Sequence, residues 1–270
     1  MNTHASHPDA IALLGMVARA DAVAREHFDR GVLVRRKSDG SPVTAADLAC
    51  NESLLAGLRE FFPADAVCSE ESPATPGSSA HRWVVDPIDG TSAFIEGLAH
   101  WGPSLARLDA SGRVVLGATS LPRLRETWLL HDGVAWFGGR RLGALTAEDS
   151  APRVVYVPSG MHRGMLLRWS AKARCLGGTA AHLALVARGS ARAVIVGPDW
   201  QLWDVACGLG LIDAVGGVAR RLPDGASLRM LDDVGTPFIA GEPEAVARLF
   251  RPGTLDFLPL SGAPDVQPRS

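Results

Sequence analysis

Apolar side chains recur at Leu13, Val17, Ala20, Ala24 and Phe28, a 4-3-4-4 spacing that predicts an amphipathic helix over residues 9–30, stopped by Gly31. Residues 32–37 alternate as a short strand, and the SDGSP that follows is a turn. A second helix is predicted from Thr44 to about Phe62, with Leu48, Leu55, Leu58 and Phe62 on its inner face and Pro63 ending it. The PATPGSSAH stretch after AVCSEES reads as a mobile surface loop. RWVVD, PSLARLD, RVVLGATSL and ETWLLHDGVAWF then follow as strands joined by short Gly-containing turns, the pattern of an antiparallel meander. The first half therefore predicts two helices on an antiparallel sheet.

The second half changes rhythm. PRVVYVPS predicts a buried strand, GTAAHLALVARG a short helix, ARAVIVG a strand, and WDVACGLGLIDAVGG a helix closed by a glycine pair. Such alternation predicts an α/β layer. The division is placed at residues 1–145 and 146–270, inside GGRRLGALTAEDSAP at 138–152. The chain after Phe250 is rich in Pro and Gly and is expected to be partly extended or frayed.

Composition narrows the class of protein. The 270 residues are 47% apolar and 21% charged, the profile of a soluble globular chain with a sizeable core. Formal net charge is −2, and the densest basic stretch is Arg35-Arg36-Lys37, too short to track a nucleic-acid backbone. Cys50, Cys68, Cys175 and Cys207 are scattered without zinc-ligand spacing, which predicts free thiols in a reducing compartment. The N-terminus has no basic segment before an apolar one, and no run of eighteen apolar residues occurs. A cytoplasmic protein with neither membrane nor nucleic-acid partners is expected.

The candidate chemistry is acidic. Asp47, Glu70, Glu71, Asp86, Asp89 and Asp204 each stand at the end of an apolar element. Singly, each has a structural explanation: Asp47 lies three residues after Thr44, close to a capping box, and Asp204 suits a helix's first turn. Together they form a set of hard oxygen ligands of the kind that holds magnesium. Ionised carboxylates cannot crowd without a cation or extra protons between them. In WVVDPIDGTSAF, Pro87 redirects the chain so that the Ile88 carbonyl can face the site, and Gly90 permits close approach of an oxyanion. The amides of Gly90, Thr91 and Ser92 then open a short helix, a ready phosphate seat.

WVVDPIDGTSAF and LWDVACGLGLIDAVGG, with KSDGSPVTAAD and CSEES upstream, resemble the motifs of the inositol monophosphatase-like, lithium-sensitive, magnesium-dependent phosphatases over roughly residues 10–250. The resemblance implies a layered αβαβα sandwich, commonly homodimeric, that hydrolyses a small polyol or sugar phosphate with two or three Mg²⁺ ions. It implies that Glu70, Asp86 and the Ile88 carbonyl hold one ion, and Asp86, Asp89 and Asp204 another. Thr91, polarised by Asp47, would help deprotonate the attacking water. Phosphate would bind at Asp89, Gly90, Thr91 and Ser92, with Lys37 adding positive charge.

The substrate wall departs from the pattern. Gly197, seven residues before Asp204, stands where many relatives carry a substrate-binding Glu. GGTAA at 177–181 resembles a contact with substrate hydroxyls through Gly178 and Thr179, and is equally a tight strand-to-helix turn. Trp200 and Trp203 are either an apolar wall for the leaving group or packing residues. Histidinol-phosphate phosphatase, 3'(2'),5'-bisphosphate nucleotidase and a non-catalytic binding protein on the same fold stand as alternatives.

Overall fold

The computed structural model describes residues 7–31, 34–36, 42–146, 154–222 and 224–257. The α-helices among them are α1 Pro8–Arg30, α2 Ala45–Phe61, α3 Thr91–Ile95, α4 Thr179–Ala187, α5 Leu202–Ala214 and α6 Pro243–Leu249. No helix among the described residues is long and apolar enough to cross a membrane.

An eight-stranded sheet carries the first half, and a five-stranded sheet carries the second. Within the first, strands Arg82–Asp89, Gly102–Leu108, Val114–Leu121, Glu126–His131 and Val134–Phe137 form the expected antiparallel meander. Successive residues of the strand Arg82–Asp89 point to opposite faces, and both faces are covered. Trp83 and Val85 pack with Leu13, Met16 and Leu54 of α1 and α2. Val84 packs on the other side with Leu183 of α4 and Val205 of α5. Those two helices also meet Val194, Val196 and Phe238 of the second sheet. Lying between two sheets, α4 has no polar face, and every residue from Ala180 to Ala187 is buried. On the outer face of the second sheet, Ala245, Val246 and Leu249 of α6 cover Val155, Ile195 and Ile239. The order of layers is thus helix, sheet, helix, sheet, helix, the αβαβα sandwich that the resemblance implied.

Several local expectations are corrected. The first sheet is mixed rather than antiparallel, because Ala66–Ser69 runs parallel to Arg82–Asp89. The second sheet is mixed too: Val155–Tyr156 pairs in parallel with Ala193–Val196, and Phe238–Gly241 pairs antiparallel on its other side. The stretch read as a mobile loop begins with an edge strand, Ser72–Thr75, and its far end is tied down by hydrogen bonds from Ser78 and Ser79 to the Ala64 carbonyl. On α2 the inner face holds Ala46, Asp47, Cys50, Asn51, Leu54 and Leu58, whereas Leu48 is 46% exposed. The helix is rotated so that its polar pair, Asp47 and Asn51, turns inward. In the tail expected to be partly extended or frayed, Leu255–Phe257 is extended and pairs with Met165–Leu167. Trp200 is buried, donates to the Thr236 carbonyl and meets Phe238 edge-on, and Trp203 packs on the core, so both are packing residues.

Candidate metal and phosphate site

Two neighbouring parallel strands, Ala66–Ser69 and Arg82–Asp89, deliver acidic residues at their carboxyl ends. Glu70 follows the first, and its amide still bonds to the Val85 carbonyl at 3.0 Å, which places it beside Asp86. The second strand does not end cleanly. Asp86 pairs with Ser104 and Asp89 with Gly102, so the Pro87-Ile88 segment is a bulge holding one residue more than its partner. Proline suits that position because it has no N–H to leave unpaired. The Ile88 amide turns back to Asp86 Oδ1 at 3.0 Å, and the Ile88 side chain is buried against Phe94 and Trp101.

The bulge brings both aspartates to one side of the sheet, where the first turn of α5 supplies Asp204. Ligand oxygens of Asp86, Asp89 and Asp204 lie within 4.8 Å of one another. Asp204 also caps its own helix, accepting from the Gln201 amide at 2.7 Å. Burial drives the Asp86 carboxyl well above its ordinary range, and the charges of Glu70, Asp89, Asp204 and Asp47 push it further. Asp89 is pushed up to about 8 by burial and by Asp204, against the pull of amides at the start of α4. Three buried or half-buried carboxylates with a fourth beside them repel one another, and only protons or a cation can relieve that. The donors are all hard oxygens with no His or Cys among them, a set that fits magnesium and not zinc.

Asp47 does two jobs. Its Oδ2 accepts from the Thr44 amide at 2.7 Å and the Thr44 hydroxyl at 2.6 Å, closing a capping box with an Asp in the place usually taken by Glu or Gln. Its Oδ1 accepts from Thr91 Oγ at 3.1 Å. Burial raises the Asp47 pKa, the hydrogen bonds from Thr44 and Thr91 oppose that, and the charge of Glu70 adds to it.

Gly90 starts α3 at φ +85°, and a Cβ there would stand 2.9 Å from Gly178. Gly178 in turn lies against Asp89, where a Cβ would come within 1.9 Å of Oδ2. The same carboxylate accepts from the amides of Thr179 at 3.0 Å and Ala181 at 3.2 Å, in the first turn of α4. The GGTAA run therefore seats an aspartate from the other half of the chain. A cleft of about 340 Å³ opens here, lined by Glu70, Asp89, Gly90, Thr91, Ser92, Gly178 and Thr179 among others. Lys37 lies outside the described residues. Gly197 borders a separate, mainly apolar cavity of about 710 Å³, with Pro158, Met161, Arg163 and Pro198 in its wall. Only Ser159, which lines the cleft, separates Pro158 from Gly160, which line the cavity.

Sequence reasoning missed Asn51. Its side chain accepts from Ser69 Oγ at 2.7 Å and donates to Ser72 Oγ at 2.6 Å, clamping the turn that presents Glu70. The signal was available: Asn51 is four residues after Asp47, on the same helix face. Ser159, Cys175 and Glu96 also line the cleft and were not singled out for it.

The family model described as the inositol monophosphatase family matches residues 7–237. A histidinol-phosphatase of Chlorobaculum parvum is 33% identical over 221 residues, 78% of this chain and 84% of that one. A Streptomyces griseus protein named glucose-1-phosphate thymidylyltransferase is 41% identical over 141 residues, 52% of each chain. The structure of an inositol monophosphatase from Thermotoga maritima superposes with a TM-score of 0.74 at 25% identity, covering 87% of this chain and 93% of that one.

Proposed function

This chain belongs to the inositol monophosphatase family, whose members are phosphoric monoester hydrolases, and we propose that it hydrolyses the phosphate ester of a small polyol or sugar with Mg²⁺. The observation that carries the proposal is the convergence of Asp86, Asp89 and Asp204 within 4.8 Å, beside a threonine held by a buried aspartate. Glu70, Asp86, the Ile88 carbonyl, Asp89 and Asp204 would hold two or three ions. Bound magnesium supplies positive charge that stabilises the phosphoryl oxygens and lowers the pKa of water.

The chain's own residues do the rest. Thr91 Oγ gives its proton toward Asp47 Oδ1, which leaves the oxygen's lone pairs free to take a proton from an attacking water in the cleft. The phosphate sits at Gly90, Thr91 and Ser92, where first-turn amides of a helix have no carbonyl partner within it. Gly178 and Thr179 form the opposite wall, and Lys37 adds charge. The cavity beside Gly197 adjoins the cleft at Ser159 and offers space for the alcohol, its carboxylate being Asp199 rather than a Glu at position 197. The reading includes a cytoplasmic homodimer, and a division of labour at residue 145 in which the second part supplies Asp204.

The test is phosphate release from inositol, histidinol, fructose-bisphosphate and nucleotide phosphates assayed side by side. Release should require added Mg²⁺ and be inhibited by lithium. Full activity after chelation would refute the metal chemistry, and no release from any ester would favour a non-catalytic binding protein.

A further inference from the structure

Asp89 is seated by a turn from the second half of the chain, and that turn has a support no metal ligand provides. The segment Leu176–Gly178 runs between the side chain of His182 and the backbone of His100. On one side the Gly178 amide donates to the His100 carbonyl at 3.0 Å. On the other, the Leu176 amide donates to His182 Nε2 at 2.9 Å. The imidazole is itself fixed: it is only 3% exposed and lies flat on Tyr156, centroids 5.0 Å apart and planes 10° from parallel.

We propose that His182 is a positioning residue for the catalytic site, its Nε2 acceptor holding the Leu176–Gly178 turn so that Gly178 packs against Asp89 and the α4 amides reach that carboxylate. The assignment rests on the phosphatase reading above. An acceptor at Nε2 requires the ring to be neutral with its proton on Nδ1. Burial, with His100 nearby, pushes the His182 pKa down to about 4, which keeps the ring neutral at neutral pH, and the Leu176 amide at Nε2 selects the tautomer. Loss of the acceptor strands a partly buried amide, and the turn's release from that strain moves the backbone that touches Asp89. Groups that orient ligands without touching metal change its affinity by about 10- to 100-fold.

The experiment compares wild type, His182→Leu and His182→Gln, each titrated with Mg²⁺ and followed by thermal stabilisation and by phosphate release. Leu should raise the Mg²⁺ concentration for half-maximal stabilisation by about tenfold or more. Gln, which carries an acceptor oxygen, should recover most of that loss. Ile239→Val, in the core of the second sheet, serves as a packing control that lowers the melting temperature without moving the Mg²⁺ midpoint. A Leu variant with the wild-type Mg²⁺ midpoint overturns the proposal. So does a nitrogen-15 spectrum of wild type showing His182 protonated at Nε2, a readout that needs no variant to fold. Wild type that neither binds Mg²⁺ nor releases phosphate fails at the earlier reading instead and takes this one with it.

Discussion

Thr91 and Asp47 are 44 residues apart in sequence and joined by a 3.1 Å hydrogen bond from hydroxyl to carboxylate. The aspartate divides its oxygens, one for the cap of α2 and one for the threonine. The division separates two phenotypes. Thr91→Ala removes the hydroxyl that donates to Asp47 Oδ1 and lies 3.3 Å from the Ile88 carbonyl, and should lower kcat by about 10²- to 10⁴-fold while leaving the α2 cap in place. Asp47→Ala should lose comparable activity and, in addition, about 1 kcal/mol of stability from the cap. Steady-state kinetics and thermal melts of both variants check this, and a fully active Thr91→Ala enzyme would remove the threonine from the mechanism.

The acidic cluster predicts how the metal binds. With the Asp89 pKa near 8, the metal-free carboxyl holds its proton at neutral pH, and a dication must expel it. Mg²⁺ affinity should therefore rise with pH up to about that value, and titration calorimetry in buffers of different ionisation enthalpy should register proton release. Saturating metal should raise the melting temperature, by the equivalent of about 2.7 kcal/mol at a hundred times Kd. Asp89→Asn should abolish turnover and lower the proton release without eliminating it, because the neighbouring Asp86 carboxyl is raised as well. Asp204→Asn should be inactive yet folded, because an amide oxygen can still accept from the Gln201 amide.

Much of this site was legible in the chain because its residues are adjacent there. Asp86, Pro87, Ile88, Asp89 and Gly90 form one bulge and one helix start, and Pro87 and Gly90 announced the redirected chain and the helix start. Asp204 was legible as a first-turn acid, although nothing local says that α5 lies between two sheets. What could not be read is pairing across long connections. The parallel match of Ala66–Ser69 with Arg82–Asp89 places Glu70, and a Ser-Pro-Ala-Thr stretch gives no sign that it will serve as an edge strand. The inner face of α2 was misjudged for a related reason. Hydrophobicity favours Leu48, while the tertiary demands of Thr91 and the Glu70 turn bring Asp47 and Asn51 inside.

Two glycines that border cavities should respond in opposite ways to one methyl group. At Gly178 the added Cβ would sit 1.9 Å from Asp89 Oδ2, so either the turn or the carboxylate must move. At Gly197 the nearest atom outside its chain neighbours is Pro158 Cγ at 3.7 Å, ordinary contact. Gly178→Ala is expected to lose Mg²⁺ affinity and turnover by an order of magnitude or more, as small displacements of catalytic groups do. Gly197→Ala should retain Mg²⁺ affinity. The Mg²⁺ dependence of phosphate release, measured for both, decides it, and equal behaviour would contradict the close seating of Asp89.

Asp21 makes a contribution to stability that should be lost as pH rises through the weakly acid range. This residue of α1 is 8% exposed and accepts a 2.6 Å hydrogen bond from Ser120 Oγ on the first sheet. Burial lifts its pKa from 3.8 to about 6, although the Ser120 hydroxyl and the Arg25 charge oppose the shift. Between those two values the folded chain keeps a proton that the unfolded chain has already released. Its contribution is therefore fully present below about pH 4 and is lost as pH rises through about 6. The loss is about 3 kcal/mol at most, two pKa units at about 1.4 kcal/mol each. Asp21→Asn keeps an acceptor for Ser120 and has no charge to bury. Urea midpoints of variant and wild type, measured from about pH 4 to 7, should therefore coincide at the acid end and diverge toward neutrality, with the variant the more stable. Parallel curves would mean that Asp21 ionises in the folded protein as freely as in the unfolded one.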